Sequence, residues 1–282
     1  MKSLRVLVSV AIAAGALVAC GNETDGTPGG SPSGSTAAVT PPASIAEAGK
    51  ISFCTAPPYP PAIFEENGEV KGSEIDIGDA IAATMGVEAD WVVIGFDGFI
   101  AAVKSGKCDG YLGASTDTPE RAEQVHFTDY VTVGRNYLVP KGNPKGIHSE
   151  SDLCGLSISL LVGTTEKEAV DAESQKCEAA GKPGIDVQVF DQDTAAGLAL
   201  VTGKVDAYVS DSPGLVYYVN QDPDKFELAL PESINPAPWG IATKLDNTEL
   251  NDALQKAVDQ IYADGTMTKI LDTWGLSTIA LK

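Results

Sequence analysis

Reactive side chains are scarce in this chain of 282 residues. Its two histidines, His126 and His148, have no cysteine or acid nearby at the spacing of a zinc site. No Gly-x-Ser-x-Gly turn presents a serine nucleophile, and no glycine-rich loop is built to cradle a phosphate. Asp191-Gln192-Asp193 begins like a calcium loop, but Ala195 and Ala196 then stand where a further ligand and a glycine are needed. Covalent catalysis, metal-assisted hydrolysis and ATP hydrolysis find little support, and no cofactor or metal is expected. The formal net charge of −20 repels phosphate backbones, which argues against nucleic acid as a partner. The polar groups most favourably placed lie in two short segments, Gly113–Asp117 and Ser210–Ser212.

Those segments draw interest from the elements that precede them. Ser105-Gly106-Lys107-Cys108-Asp109-Gly110-Tyr111 is echoed by Thr202-Gly203-Lys204-Val205-Asp206-Ala207-Tyr208. An apolar helical stretch comes before each copy, with Phe99, Ile100 and Val103 in the first and Leu198, Leu200 and Val201 in the second. Gly106 and Gly203 are placed to cap those helices, and strands are predicted over Cys108–Leu112 and Asp206–Val209. Upstream of the first copy, strands at Ile51–Thr55 and Asp90–Ile94 flank a helix from Glu74 to Met85 that Gly86 ends. Upstream of the second, strands at Leu156–Leu160 and Asp186–Phe190 flank a helix from Glu166 to Ala180. This alternation predicts two α/β units, each with a parallel sheet. Ligands bind beyond the carboxyl ends of such strands, which is where the two polar segments begin. A last helix is expected over Asn247–Ala263, with Leu250, Leu254, Ala257, Val258 and Ile261 on one face and Gly265 as its stop.

The N-terminus has the layout of a secretory signal. Lys2 and Arg5 precede a run of thirteen mostly apolar residues, Val6 to Val18, too short to span a bilayer as a permanent helix. Leu17-Val18-Ala19-Cys20 resembles the lipobox of bacterial lipoproteins, which implies cleavage before Cys20 and lipidation of its sulfur. Gly21 to Ser44 is rich in Gly, Ser, Thr and Pro and predicts a flexible tether, spanning roughly 25–30 Å on average. Beyond it the chain suffices for one large domain or two lobes of about a hundred residues each. With Cys20 assigned to lipid, Cys54, Cys108, Cys154 and Cys177 remain, and an exported protein is expected to pair them in one of three connectivities. Cys54–Cys108 with Cys154–Cys177 is favoured because each pair falls within one proposed lobe.

Several motifs, taken in order, resemble the polar-amino-acid solute-binding proteins of ABC importers. They are Tyr59-Pro60-Pro61, Gly72-Ser73-Glu74-Ile75-Asp76-Ile77, Phe96-Asp97-Gly98-Phe99-Ile100, Ser105-Gly106-Lys107-Cys108-Asp109, Thr118-Pro119-Glu120-Arg121-Ala122 and Phe127-Thr128-Asp129-Tyr130. The resemblance runs from about Ile51 to Trp274, and the Cys154 and Cys177 pair is similar to one in actinobacterial members. It implies a two-lobed α/β fold of the periplasmic-binding-protein type II, each lobe a mostly parallel sheet flanked by helices. The implied division is 1–19 signal peptide, 20–44 lipidated cysteine and linker, 45–134 plus 243–282 lobe 1, and 135–242 lobe 2, with hinge strands near Arg135–Leu138 and Trp239–Ala242. The implied activity is capture of a polar α-amino acid by a monomer anchored on the extracellular face of the cell membrane. Delivery is then to membrane permease subunits served by a separate ATPase.

By the same resemblance, Arg121 forks onto the ligand α-carboxylate, as its two parallel donors suit. Thr116 contacts that end too, with Gly113 and Ser115 in the same turn. Thr165 sits at a helix N-terminus that favours a carboxylate. Asp211 pairs with the α-ammonium, although its place before Ser212-Pro213 also suits a helix N-cap. Tyr59 and Phe96 are aromatic walls, Trp239 is a candidate lining residue, and Glu74 is a candidate acid toward the side-chain pocket or a helix-start acid favoured by the dipole. Two departures bear on specificity. Gly113 and Ala114 stand where many members have serines, and Ala56 where binders of cationic amino acids often have aspartate. The fold also serves cyclohexadienyl dehydratase-like enzymes, in which Asp211 or Glu74 would be the general acid, and ligand-sensing subunits.

Overall fold

The computed structural model describes residues 37–281, all within one unit of the chain, Thr36–Lys282. The expected signal segment, Cys20 and most of the expected linker lie outside the described residues. Packing against the first core extends upstream of the expected boundary at residue 44. Val39 is buried in the first core, and its N–H donates to the Thr84 carbonyl at 3.0 Å. Val39 from the expected linker and Ile45 just after it are both buried.

Helix α1 (Ala43–Ala48) leads into strand β1 (Lys50–Thr55) and a hairpin of β2 (Phe64–Glu66) and β3 (Glu69–Lys71). Asn67 and Gly68 turn that hairpin, both with positive φ, as a tight two-residue turn requires. Helix α2 (Ser73–Thr84), β4 (Glu88–Val93), α3 (Phe99–Ser105), β5 (Gly110–Tyr111) and α4 (Pro119–Ala122) complete the first half. Strand β6 (His126–Pro140) has 15 residues, long enough at about 50 Å to leave the first half and enter the second. There follow β7 (Ser157–Leu161), α5 (Thr165–Ala179), β8 (Asp186–Phe190), α6 (Asp193–Val201), β9 (Ala207–Asp211), α7 (Ser212–Gln221) and β10 (Phe226–Leu228). Strand β11 (Ile234–Thr243) returns, and α8 (Thr248–Ala263) and α9 (Thr266–Thr273) pack on the first half.

The sheet order is β4-β1-β5-β11-β6-β9-β7-β8, with β10 also on β6. The two parallel sets expected from the sequence are present, β4-β1-β5 and β9-β7-β8, but they belong to one continuous sheet. Strand β6 joins them, pairing with β11 over His126–Arg135 and with β9 and β10 over Arg135–Pro140. From β5 to β11 to β6 to β9 every step is antiparallel. Three reversals leave β5 and β9 running in opposite directions, so their carboxyl ends face one another.

Each half has one apolar cluster on either face of the sheet, as alternation along a two-sided strand dictates. Phe53 joins one first-half cluster and Cys54 the other. Likewise Tyr137 and Val139 enter one second-half cluster while Leu138 enters the other. The sequence echo has a structural meaning. Gly106 and Gly203 both end their helices with positive φ. Asp109 Oδ2 accepts from the Ser52 N–H at 2.8 Å and hydroxyl at 2.6 Å, and Asp206 Oδ2 accepts from the Ser157 N–H at 2.9 Å and hydroxyl at 3.0 Å. The repeated aspartate thus fixes the first strand of each half to the loop that feeds its third.

Cys54–Cys108 and Cys154–Cys177 form the two disulfides, each within one half. Replacing Cys154 and Cys177 together by alanine is expected to cost about 3 kcal/mol through the lost loop constraint. Thermal unfolding would show it as a lowered midpoint, and an unchanged midpoint would mean that the loop is held by packing alone.

Candidate ligand-binding site

A cavity of about 270 Å³ lies where the carboxyl ends of the two parallel sets meet, close to the small end of ligand pockets at ~300 Å³. The first half lines it with Tyr59 after β1, Phe96 after β4, Gly113 and Thr116 after β5, and Arg121 of α4. The second half supplies Thr164 to Glu166 at the start of α5, Asp191 to Asp193 after β8, and Ser210 and Asp211 at the end of β9. Every one of these segments follows a strand of a parallel set, as the topology requires.

Arg121 reaches the cavity because α4 is short and well started. Pro119 opens the helix, and the Thr118 hydroxyl accepts from the Arg121 N–H at 3.3 Å. The guanidinium donates to the Thr116 carbonyl at 2.9 Å and, across the cavity, to the Gly163 carbonyl at 3.0 Å. It lies 5.4 Å from the Phe99 ring and 5.8 Å from the Phe96 ring, a cation–π cradle. Burial pulls its pKa down while Glu166 opposes that, and a guanidinium remains a cation throughout.

Asp211 faces it from the other half. It begins α7, but its side chain makes no capping hydrogen bond; instead Oδ2 accepts from the Trp239 indole N–H at 2.8 Å. Burial, and next the Glu166 carboxylate beside it, push the Asp211 pKa well above the usual carboxylate range. Burial also raises Asp193 to about 7, against the pull of the Tyr208 hydroxyl that it accepts from. Thr165 sits in the first turn of the 15-residue α5, whose N-cap hydroxyl on Thr164 accepts from the Lys167 N–H. The unpaired first N–H groups of that helix therefore sit at the cavity wall. Tyr59 packs edge-on to Trp239 at 6.0 Å, and Phe96 edge-on to Tyr111 at 6.3 Å.

Three expected lining residues stand behind the wall. Trp239 is fully buried, because the T-shaped contact with Tyr59 and the bond to Asp211 hold its indole in the core. Ser115 turns its hydroxyl to the Gly240 carbonyl at 2.9 Å, so it ties the turn after β5 onto β11. Glu74 is 1% exposed and accepts from the Ala114 N–H at 3.2 Å and from the Tyr130 hydroxyl. It holds Ala114 in a left-handed conformation, φ 57°, that an alanine adopts only under strain. Gly113 has a local cause too: a Cβ there would come within 2.5 Å of the Tyr111 hydroxyl, which donates to the Gly113 carbonyl at 2.9 Å. A serine at that position would collide with this bond.

Glu166 and Asp193 were not among the residues expected here. Asp193 follows the second strand of the second half, so the strand-end rule that singled out Gly113–Asp117 also pointed to it. Glu166 opens a predicted helix, where an acid has the common explanation of the dipole. Among the described residues no group of three His, Cys, Asp or Glu is placed to share a metal.

Burial raises the Glu74 carboxyl to about 7 from an ordinary 4.5. The folded protein then binds a proton that the unfolded chain has released, so Glu74 costs stability increasingly as pH rises from about 4.5 to 7. The full cost is on the order of 3 kcal/mol. Glu74→Gln keeps an acceptor for the Ala114 N–H and removes the titration. Its unfolding midpoint is expected to fall less between pH 5 and 7.5 than that of the parent; equal slopes would show that Glu74 does not titrate in this range.

Residues 51–277 match the family model for bacterial extracellular solute-binding proteins, family 3. The arginine-binding protein ArgT of Corynebacterium glutamicum is 29% identical over 239 residues, covering 83% of this chain and 77% of its own. The L-cystine-binding protein TcyJ of Escherichia coli is 28% identical over 218 residues, covering 77% of this chain and 79% of its own. An ancestral arginine-binding protein bound to arginine superposes with a TM-score of 0.74 and 34% identity, over 80% of this chain and 98% of that one. In fold and in sequence, the chain belongs to family 3 of the bacterial extracellular solute-binding proteins.

Proposed function

We propose that the protein captures an α-amino acid outside the cell and delivers it to the membrane permease of an ABC importer, whose separate ATPase drives release. One observation carries this reading: Arg121 and Asp211, opposite in charge and supplied by opposite halves, line the same cavity. A zwitterion fits that pair, its carboxylate on the guanidinium fork and its ammonium on Asp211. Thr116 and Thr165 flank the carboxylate end, and Tyr59 and Phe96 wall the side chain. The moving bodies are 45–134 with 243–282 and 135–242, turning about β6 and β11 near Arg135–Leu138 and Trp239–Ala242. A lipid on Cys20 holds the protein at the extracellular face of the membrane. The names of the relatives put arginine and cystine first among ligands to try.

Free amino acids are expected to raise the unfolding midpoint, by about 2.7 kcal/mol of added stability at a hundredfold excess over Kd. Arg121→Ala is expected to weaken binding by about 1.5–3 kcal/mol, measured by calorimetric titration. An unchanged affinity would place the site elsewhere. The raised pKa of Asp211 also favours a second reading, a general acid of the dehydratase kind. Incubation with prephenate or arogenate is expected to leave both intact, and an aromatic product would favour the enzyme.

A further inference from the structure

The cavity is unbalanced in charge. Among the described residues, Arg121 is the one Lys or Arg that lines it, against four carboxylates, the buried Glu166 and Asp193, the half-buried Asp211 and the exposed Asp191. A zwitterionic ligand carries no net charge and so does not correct this. Glu166, 6% exposed, has Oε1 without a hydrogen-bond partner, and Asp193, 4% exposed, has Oδ2 in the same state. Their other oxygens are served by neutral hydroxyls, Thr165 on Glu166 Oε2 at 3.3 Å and Tyr208 on Asp193 Oδ1. Arg135, paired with Asp211 in the β6–β9 ladder, is already held by Glu150 at 2.6 Å.

A buried carboxylate without donors is costly unless it takes up a proton or a cation arrives. The first half lines the cavity with no carboxylate of its own, Ala56, Val93 and Ile94 being among the residues it places there. We infer that Glu166 and Asp193 form a second acidic subsite, built on the second half, that receives a cationic group on the ligand side chain. The ligand class is therefore an α-amino acid with a terminal ammonium or guanidinium. The inference rests on the amino-acid reading above and adds the subsite that sets specificity. An ammonium or guanidinium supplies the donors that both orphaned oxygens lack.

Arginine and citrulline separate the two claims, since they share shape and differ in charge. Calorimetric titration of the unmodified protein is expected to show arginine binding at least tenfold tighter than citrulline. In Glu166→Gln/Asp193→Asn, checked for folding by its thermal midpoint, arginine should lose its advantage over citrulline. Equal affinities in the unmodified protein, which needs no variant, would overturn the subsite and leave amino-acid capture standing. A preference for arginine that survives the double substitution would also overturn it. Failure of every α-amino acid to bind would remove both readings together.

Discussion

Everything at the cavity depends on the pairing of β6 with β11. A strand of 15 residues that exchanges partners at Arg135 makes one sheet out of two parallel sets. Because each step between the sets is antiparallel, the carboxyl ends of one face those of the other. Loops that would otherwise serve two separate crevices therefore line one. The duplicated clamp, Asp109 on Ser52 and Asp206 on Ser157, holds each set in register up to that meeting place.

The polar groups around the cavity are supported at a cost that the cores must offset. Glu74 sits inside the first core so that the Ala114 N–H has an acceptor in a strained turn. Trp239 gives its indole N–H to Asp211 from strand β11, and Ser115 fastens the turn after β5 to the same strand. None of these three lines the cavity, yet together they set the directions of residues that do.

Much of this was legible in the sequence. The echo around Gly106 and Gly203, the helices and strands that surround it, and the strand-end rule pointed to Gly113–Asp117 and Ser210–Ser212, and the family resemblance added Arg121 and Thr165; Thr116, Arg121, Thr165 and Asp211 line one cavity. What stayed hidden depends on contacts distant in the chain. The β2–β3 hairpin was missed because its Asn67-Gly68 turn is flanked by charged residues and not by alternating apolar ones. The single continuous sheet was missed because a pattern of periodicity says nothing about partners, and β6 changes partners midway. Glu74 and Trp239 have side chains able to line a pocket or support one. Only the hydrogen bonds to Ala114, Tyr130 and Asp211 decide between those roles.

The hydrogen bond from Arg121 to the Gly163 carbonyl joins the two halves through a residue that also faces the cavity. Any parting of the halves gives up that bond, and any anion that reaches the guanidinium competes with the carbonyl for the same donors. Occupancy and the relative position of the halves are then two readings of one free energy. Whatever factor a ligand applies to the spacing of the halves, the spacing must return to the affinity.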